Sequence, residues 1–191
     1  METVQRPMRA DARRNYERLL TAAHAAFAEQ GTEASLEEVA RTAGVGIGTL
    51  YRHFPTRRAL LEAVLHDSLA GLDTRARELL DSGSPGEALL EWTRHLMAHV
   101  TVYRGLAATL MSSFDDPASE LYGACERVRV GGDALLASAQ RAGAVRDDVT
   151  GADLTKLVNA VAWAGEHCDD DTAERLLTLV MDGLRVGDRR S

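Results

Sequence analysis

The stretch that most constrains this chain of 191 residues is segment 44–61, which reads GVGIGTLYRHFPTRRALL. The glycines at its start and the proline within it predict a tight turn, a short helix and the start of a longer helix. On a helical wheel, Leu50 and Phe54 share one stripe, with Ile47 beside them, and we expect this stripe to pack inward. A helix this short is not stable alone in water, so neighbouring elements must hold it.

The opposite face of the short helix is suited to contact with DNA. It carries Gly48, Thr49 and Arg52, and Tyr51 and His53 lie on its two flanks. At about 1.5 Å per residue the run from Val45 to His53 is about 13 Å long. This length is close to the width of a DNA major groove, about 12 Å. We therefore expect this face to enter a major groove. The alternative is that Tyr51 is a core aromatic and that Arg52 and His53 are solvated surface residues.

The residues around the short helix carry clear start and stop signals. Ser35 followed by Glu38 is a capping box, which predicts the start of a helix. Gly44 suits the left-handed conformation that ends such a helix in a tight turn. Pro55 ends the short helix, and Thr56 can cap the next one. A helix, a glycine-containing turn and a second helix form a helix-turn-helix.

Four segments in this order resemble the DNA-binding domain of the TetR family of transcriptional regulators. They are FAEQG at 27–31, SLEEVARTAGV at 35–45, GTLYRHF at 48–54 and PTRRALL at 55–61. The resemblance covers the chain from about residue 11 to residue 61. It implies an N-terminal DNA-binding domain and a C-terminal domain that binds a small molecule and forms a dimer.

The resemblance also implies which side chains contact DNA. Thr49, Tyr51 and His53 are expected on phosphates, and Thr56 and Arg57 on the DNA backbone. Many members carry Ser and Lys where this chain has Gly46 and Ile47, so a Lys contact is missing, and Ile47 can instead meet a thymine methyl group. Two arginines near the start of the first helix are further phosphate candidates. The candidate DNA-binding residues are Arg13, Arg14, Ile47, Thr49, Tyr51, Arg52, His53, Thr56 and Arg57.

The charge distribution agrees with DNA bound at one end of the chain. The net charge is −7, which by itself argues against a nucleic-acid partner. Residues 1–60, however, hold nine Arg against seven Asp or Glu, a balance of +2, and the other 13 basic and 22 acidic residues give −9. A mildly basic head on an acidic body fits binding through the head alone. An architectural DNA-binding protein, the alternative from another class, is expected to have a basic body.

We expect an all-α fold of about nine helices, because apolar residues recur at helical spacing and aromatics and prolines are few. Residues 1–10 are interpreted as a flexible arm and residues 11–56 as the helix-turn-helix domain. Residues 57–191 are interpreted as an effector-binding and dimerisation domain, whose first helix, 57–80, links the two domains.

Several breaks are predicted inside the second domain. Gly105 is expected to interrupt the fifth helix, and a short helix through Leu110, Met111 and Phe114 to follow. Asp116 and Pro117 are expected to start a seventh helix that ends at Gly143. The pair Gly131 and Gly132 is expected to weaken or kink that helix.

The last two helices carry apolar stripes, and the resemblance implies that they pair with their mates in a homodimer. The predicted interface residues are Leu154, Val158, Val161, Ala162, Gly165, Leu176, Leu177, Val180, Met181 and Leu184. A dimer also places two recognition helices about 34–36 Å apart, one DNA turn, which a pseudo-palindromic operator requires. The alternative is that both stripes face the core of one subunit.

Aromatic, sulfur and imidazole groups concentrate in the middle helices, where the family commonly binds an effector. The candidate ligand-binding residues are Trp92, His95, Leu96, His99, Tyr103, Met111, Phe114, Tyr122 and Trp163, with Cys125 nearby. The alternative is a filled core. Glu91, His95 and His99 recur at a spacing that permits metal ligation, but Glu91 drifts off the stripe, and we expect neither a metal nor a cofactor.

These observations predict a DNA-binding transcriptional regulator, a repressor released from its double-stranded operator by an unidentified small molecule. An activator of the same fold is the alternative. We identify no paired nucleophile or acid–base arrangement and expect no enzyme. With two cysteines that form no framework, no signal peptide and no long apolar run, we expect a soluble cytoplasmic protein without a membrane partner.

Overall fold

A computed structural model describes residues 5–109, 116, 118–165 and 170–186. These residues form eight α-helices and, within the described ranges, no strand. The helices are α1 (Gln5–Gln30), α2 (Leu36–Thr42), α3 (Ile47–His53), α4 (Arg57–Leu80), α5 (Pro85–Thr109), α6 (Glu120–Arg141), α7 (Gly151–Gly165) and α8 (Asp170–Leu184). A 3-10 turn over Gly31–Glu33 joins α1 to α2. The predicted all-α fold is confirmed.

The helix boundaries differ from the predicted ones in three places. Helix α1 begins at Gln5, within the segment 1–10 that the sequence predicts as a flexible arm. Helix α5 runs through Gly105 without a break, because one glycine lowers helix stability by only about 1 kcal/mol and its neighbours maintain the helix. Helix α6 begins after Ser119, whose hydroxyl accepts a hydrogen bond from the Leu121 amide at 3.2 Å, and not at residues 116–117. The predicted short helix through Leu110, Met111 and Phe114 lies outside the described residues.

The described helices divide into two compact units. The first unit holds α1, α2, α3 and the part of α4 up to Asp67, together with the end of α5 from Gly105. The second unit holds α4 from Ser68, α5 up to Arg104, and the helices α6, α7 and α8. Helix α4 therefore contributes residues to both units. None of the described helices has the length and apolar composition needed to cross a membrane.

Each unit has its own apolar core. Leucines contributed by several helices are fully buried in both units, together with one phenylalanine in the first. The largest fully buried side chains are Leu19, Phe27, Val39, Leu50, Leu60 and Leu65 in the first unit, and Leu89, Leu135, Leu154 and Leu177 in the second. Burial of each such side chain contributes about 1.5–3 kcal/mol to the free energy of unfolding.

The glycine pair in α6 allows helices to approach closely and does not interrupt α6. A Cβ at Gly132 would overlap Cη2 of Trp92 on α5 and lie 2.9 Å from its Cζ3, and one at Gly131 would lie 2.8 Å from the Ala76 Cβ on α4. Only glycine leaves room for these neighbours. The helix is continuous through the pair, and the expected weakening or kink stays a prediction. The indole of Trp92 is thereby packed directly against the α6 backbone.

We expect Gly132→Ala to destabilise the protein by about 1–3 kcal/mol, because the added methyl group overlaps a buried, rigid indole. Chemical denaturation followed by circular dichroism measures the change. Gly123→Ala in the same helix is the matched control: its Cβ would lie 3.5 Å from the Arg127 guanidinium, an ordinary contact. It should stabilise the protein by up to about 1 kcal/mol through helix propensity. Equal stability of the two variants would contradict the packing role of Gly132.

Candidate functional site

Helix α3 has one buried side and one exposed side. Leu50 is fully buried and Phe54 is only 3% exposed, which confirms that these two residues form an inward stripe. Tyr51 is 45% exposed, Arg52 is exposed and Thr49 is half-buried. Ile47 is not part of the buried stripe, because it is the first residue of the helix and 37% of it remains exposed.

The turn that leads into α3 is held by backbone hydrogen bonds. Gly44 has φ +67°, the left-handed conformation predicted for it. Its amide donates to the Arg41 carbonyl at 3.0 Å, and the Val45 amide donates to the Ala40 carbonyl at 3.0 Å. This pair of bonds is the Schellman motif, which satisfies the last carbonyls of α2. The two bonds set the direction in which the chain leaves α2.

The start of α2 is capped by Ser35. The Ser35 hydroxyl accepts a hydrogen bond from the Glu38 amide at 3.3 Å, as the capping box predicts. The Glu38 carboxylate accepts a hydrogen bond from Arg41 at 2.8 Å. The cap formed by Ser35 contributes about 1 kcal/mol to helix stability.

An aromatic cluster supports the carboxyl end of α3. The ring of Tyr16 on α1 lies 5.1 Å from that of Phe54 and 6.1 Å, edge-on, from that of His53. Tyr16 is not among the site residues predicted from the sequence. The available signal was its spacing, since it precedes Leu19 and Leu20 of the buried α1 stripe by three and four residues. The cluster ties the orientation of His53 to α1.

The start of α4 places two adjacent arginines in different surroundings. Thr56 caps α4, its hydroxyl accepting a hydrogen bond from the Ala59 amide at 3.1 Å. Arg57 is partly buried, and its Nη1 donates to the carbonyls of Thr32 at 2.8 Å and Ala34 at 2.7 Å. Arg58 is exposed and donates to a carboxylate of α4, that of Glu62, at 2.9 Å. The Arg57 guanidinium thus faces the protein backbone.

The other candidate cations of the first unit are exposed. Arg13 lies 3.6 Å from the Glu17 carboxylate, and Arg14 pairs with Asp11. Arg52 is exposed on the outer side of α3. Because exposed ion pairs contribute little to stability, Arg13 and Arg14 can exchange a protein carboxylate for a phosphate at small cost.

The structure brings together three of the candidate ligand-binding residues. His95, His99 and Tyr103 line an open cleft of about 440 Å³ between α4 and α5, which Ser68 and Arg75 also line. The Ser68 hydroxyl lies 2.7 Å from Nδ1 of His99, and the rings of His99 and Tyr103 are 5.1 Å apart. The cleft therefore presents imidazole, phenol and guanidinium groups on one surface.

The remaining candidates do not share this cleft. Trp92 and Leu96 are buried, and Tyr122 is half-buried on α6. Trp163 is 61% exposed on α7. Cys125 is a half-buried thiol, and burial raises its pKa to about 11, so it is protonated near neutral pH. The last two candidates, Met111 and Phe114, lie outside the described residues.

The indole nitrogen of Trp92 is an unsatisfied donor. Trp92 is 3% exposed, and its Nε1 has no hydrogen-bond acceptor among the described residues. A buried polar group left without a partner destabilises a protein by about 1–3 kcal/mol, and such groups in native structures usually have a reason. An acceptor supplied from outside the chain is one such reason.

The residues with metal-like spacing are engaged with other groups. Arg75 donates to the Glu91 carboxylate, and this hydrogen bond lowers the pKa of Glu91. His95 Nε2 lies 3.8 Å from Glu91, while His99 contacts Ser68. Over the described part of the chain, no three His, Cys, Asp or Glu side chains are grouped as a metal site requires.

The predicted interface stripes of the last two helices are largely buried inside one subunit. Seven of the ten residues are buried, while Leu176 and Val180 are half-buried. A Cβ at Gly165 would lie 2.8 Å from that of Ala173, so Gly165 lets α7 and α8 approach each other. The burial of these seven residues agrees with the alternative interpretation, in which the stripes face the core of their own subunit. The seven residues are Leu154, Val158, Val161, Ala162, Leu177, Met181 and Leu184.

Two family models match the chain. The model described as "Bacterial regulatory proteins, tetR family" matches residues 19–64, which include α2 and α3. The model described as "Transcriptional regulator SbtR-like, C-terminal domain" matches residues 84–186, more than half of the chain. The first match ends at residue 64, within α4, and the second begins at residue 84, after α4 has ended.

Two solved structures share the fold over nearly the whole chain. The TetR transcriptional regulator SCO0520 from Streptomyces coelicolor is 38% identical, with a TM-score of 0.75 over 88% of this chain and 97% of that one. The TetR transcription regulatory protein from Mycobacterium vanbaalenii is 39% identical, with a TM-score of 0.73 over 94% of this chain and 100% of that one.

A curated relative matches over a shorter stretch. An HTH-type transcriptional regulator from Staphylococcus aureus is 37% identical over 75 residues, which are 39% of this chain and 40% of the relative. The match spans about two fifths of the relative's length, so it bears on only part of that protein.

Proposed function

The chain belongs to the TetR family of transcriptional regulators, and on that premise we propose that it is a repressor released from its operator by a small-molecule effector. The observation that carries the proposal is the two-sided helix α3, with Leu50 buried and Tyr51 and Arg52 exposed. Recognition in a major groove requires a helix whose polar face is exposed and whose opposite, apolar face packs against the rest of its domain. Such a regulator acts in the cytoplasm, where the DNA is.

The proposed DNA surface combines base contacts with backbone contacts. Ile47 is exposed at the start of α3, which supports the proposal that it meets a thymine methyl group. The polar residues of α3 supply hydroxyl, guanidinium and imidazole groups for phosphates and base edges. Arg13 and Arg14 of α1 and the Thr56 hydroxyl extend the contact along the DNA backbone. The polar residues of α3 are Thr49, Tyr51, Arg52 and His53.

We expect Tyr51→Phe and Arg52→Ala each to weaken operator binding by roughly tenfold, since each variant lacks a polar group that contributes about 1–2 kcal/mol on DNA. A gel-shift titration measures affinity, and light scattering checks that the dimer is intact. The control is Arg141→Ala, which removes an exposed arginine at the end of α6 and should leave affinity unchanged. Unaltered binding by both test variants would remove these residues from the DNA surface.

We infer that a homodimer forms through the surface of α7 and α8 that the subunit core leaves open. That surface carries Trp163 and Leu179, which are 61% and 60% exposed. Large apolar side chains with most of their area in water are typical of interfaces, and Trp is frequent among the residues that dominate binding energy. The dimer sets the distance between two α3 helices on a pseudo-palindromic operator.

Trp163→Arg and Leu179→Arg are expected to shift the protein from dimer to monomer, because a charge buried without a partner opposes association. Size-exclusion chromatography with light scattering reports the mass. Val130→Arg is the control, since Val130 is 57% exposed on α6 and lies outside the proposed interface. A stable dimer in both test variants, or loss of the dimer in Val130→Arg, would place the interface elsewhere.

The effector is proposed to bind among the middle helices of the second unit. Two separate places offer polar groups. The open cleft has the imidazole and phenol groups of His95, His99 and Tyr103, while the buried Trp92 Nε1, outside that cleft, is a donor that lacks an acceptor among the described residues. We propose the position beside Trp92 for the effector. We infer an effector that carries an acceptor oxygen or nitrogen. A 100-fold reduction of operator affinity on effector binding requires about 2.7 kcal/mol of coupling free energy, a usual value for allostery.

A thermal-shift screen against small molecules is expected to find compounds that raise the melting temperature of the wild-type protein, because a ligand at 100 times its Kd stabilises by about 2.7 kcal/mol. Trp92→Phe keeps an aromatic ring but removes the N–H, and the same compounds should bind roughly tenfold more weakly. Trp163→Phe should respond like the wild-type protein. Identical responses of Trp92→Phe and wild type to every hit would exclude the indole donor.

A further inference from the structure

Two hydrogen bonds of Arg57 close the helix-turn-helix into a loop with fixed ends. The bonds join residues that are 25 and 23 positions apart in sequence, Arg57 with Thr32 and with Ala34. The whole of α2, the turn and α3 lies between these two attachment points. A single guanidinium nitrogen therefore holds the residue before the α2 cap beside the start of α4.

The surroundings of Arg57 argue against a role on a phosphate. A cation in the first turn of a helix opposes the helix dipole, so Arg57 needs a compensating acceptor. The structure supplies two carbonyl oxygens at 2.8 and 2.7 Å from Nη1 in a partly buried position. These carbonyls belong to the 3-10 turn over Gly31–Glu33 and to the residue that follows it.

We propose that Arg57 is a positioning residue for DNA recognition, which sets the placement of α3 through the chain ends it joins and does not itself contact DNA. This inference rests on the proposed function, because it concerns the same DNA surface. Arg57 is also the first residue of α4, the helix that continues into the second unit. A displacement of the α4 start is thus passed to the helix-turn-helix through these two hydrogen bonds.

The salt dependence of binding separates a positioning residue from a phosphate contact. Removal of one phosphate contact reduces the slope of log K against log salt by about 0.9, so removal of one from each subunit reduces it by about 1.8 in a dimer. It also weakens binding to all DNA sequences about equally. A misplaced α3 instead weakens binding to the cognate site and leaves binding to unrelated DNA unchanged.

The test compares Arg57→Met, Arg57→Lys and the matched control Arg58→Met, which removes the same charge one residue away. The probes are a fluorescein-labelled duplex selected from random sequence by the wild-type protein and a duplex of the same length with that site scrambled. Fluorescence anisotropy over a series of NaCl concentrations gives affinities and salt slopes. Circular dichroism confirms that each variant is folded at the assay temperature.

We expect Arg57→Met to bind the selected duplex about tenfold more weakly, the effect of removing hydrogen bonds from a charged donor. Its salt slope and its affinity for the scrambled duplex should differ from those of the wild type by no more than those of Arg58→Met do. Arg57→Lys should recover most of the affinity, since one ammonium group can donate to both carbonyls. If Arg57→Met is not folded, Arg57→Gln replaces it. Its amide is a shorter, neutral donor, so we expect weaker binding to the selected duplex than with Arg57→Lys and an unchanged salt slope.

Two outcomes would overturn the inference. One is a slope reduced by about 1.8 with equal weakening on both duplexes, which makes Arg57 a phosphate contact. The other is unchanged affinity of Arg57→Met for the selected duplex. Failure of the wild-type protein to select any site is a different result: it would sink the proposed function, and this inference with it.

Discussion

The burial of Leu50 and Phe54 beneath α3 is the interaction on which the DNA surface depends. Helix α3 spans seven residues, too few to be stable in water by their own hydrogen bonds. Its polar side is presented to solvent only because its apolar side is covered by the first unit. The hydrogen-bonded turn at Gly44 and the aromatic contact of Tyr16 with Phe54 then determine where the helix begins and ends.

The second unit depends on a different constraint, the close approach of helices at small residues. The Trp92 ring rests against the backbone at Gly132, and Gly165 lets α7 and α8 approach at Ala173. Interiors packed this densely resist continuous deformation and tend to change between discrete arrangements. We therefore expect the effector proposed beside Trp92 to displace helices, because a densely packed interior has no free space in which to accommodate it.

Local signals in the sequence were sufficient for the helix-turn-helix, because its caps and turn involve residues close together in the chain. Ser35, Gly44 and Thr56 act as predicted. Contacts between residues far apart in the sequence could not be predicted from local patterns. The apolar stripes of α7 and α8 show helical periodicity, but periodicity says only that a face is covered and not whether its own subunit or a second one covers it. The bonds from Arg57 to two backbone carbonyls were invisible for the same reason.

The contrast between the two tryptophans has an optical consequence. Trp92 is sealed in the middle of the second unit and Trp163 is mostly in water, and the sequence contains no other tryptophan. In a single subunit their indole emission therefore comes from two environments of different polarity, a blue-shifted interior one for Trp92 and a red-shifted surface one for Trp163, and dimerisation through α7 and α8 would change the environment of Trp163. The molecule thus carries two separate intrinsic fluorophores, one for events inside the helical body and one for events on its outer face, with no dye attached.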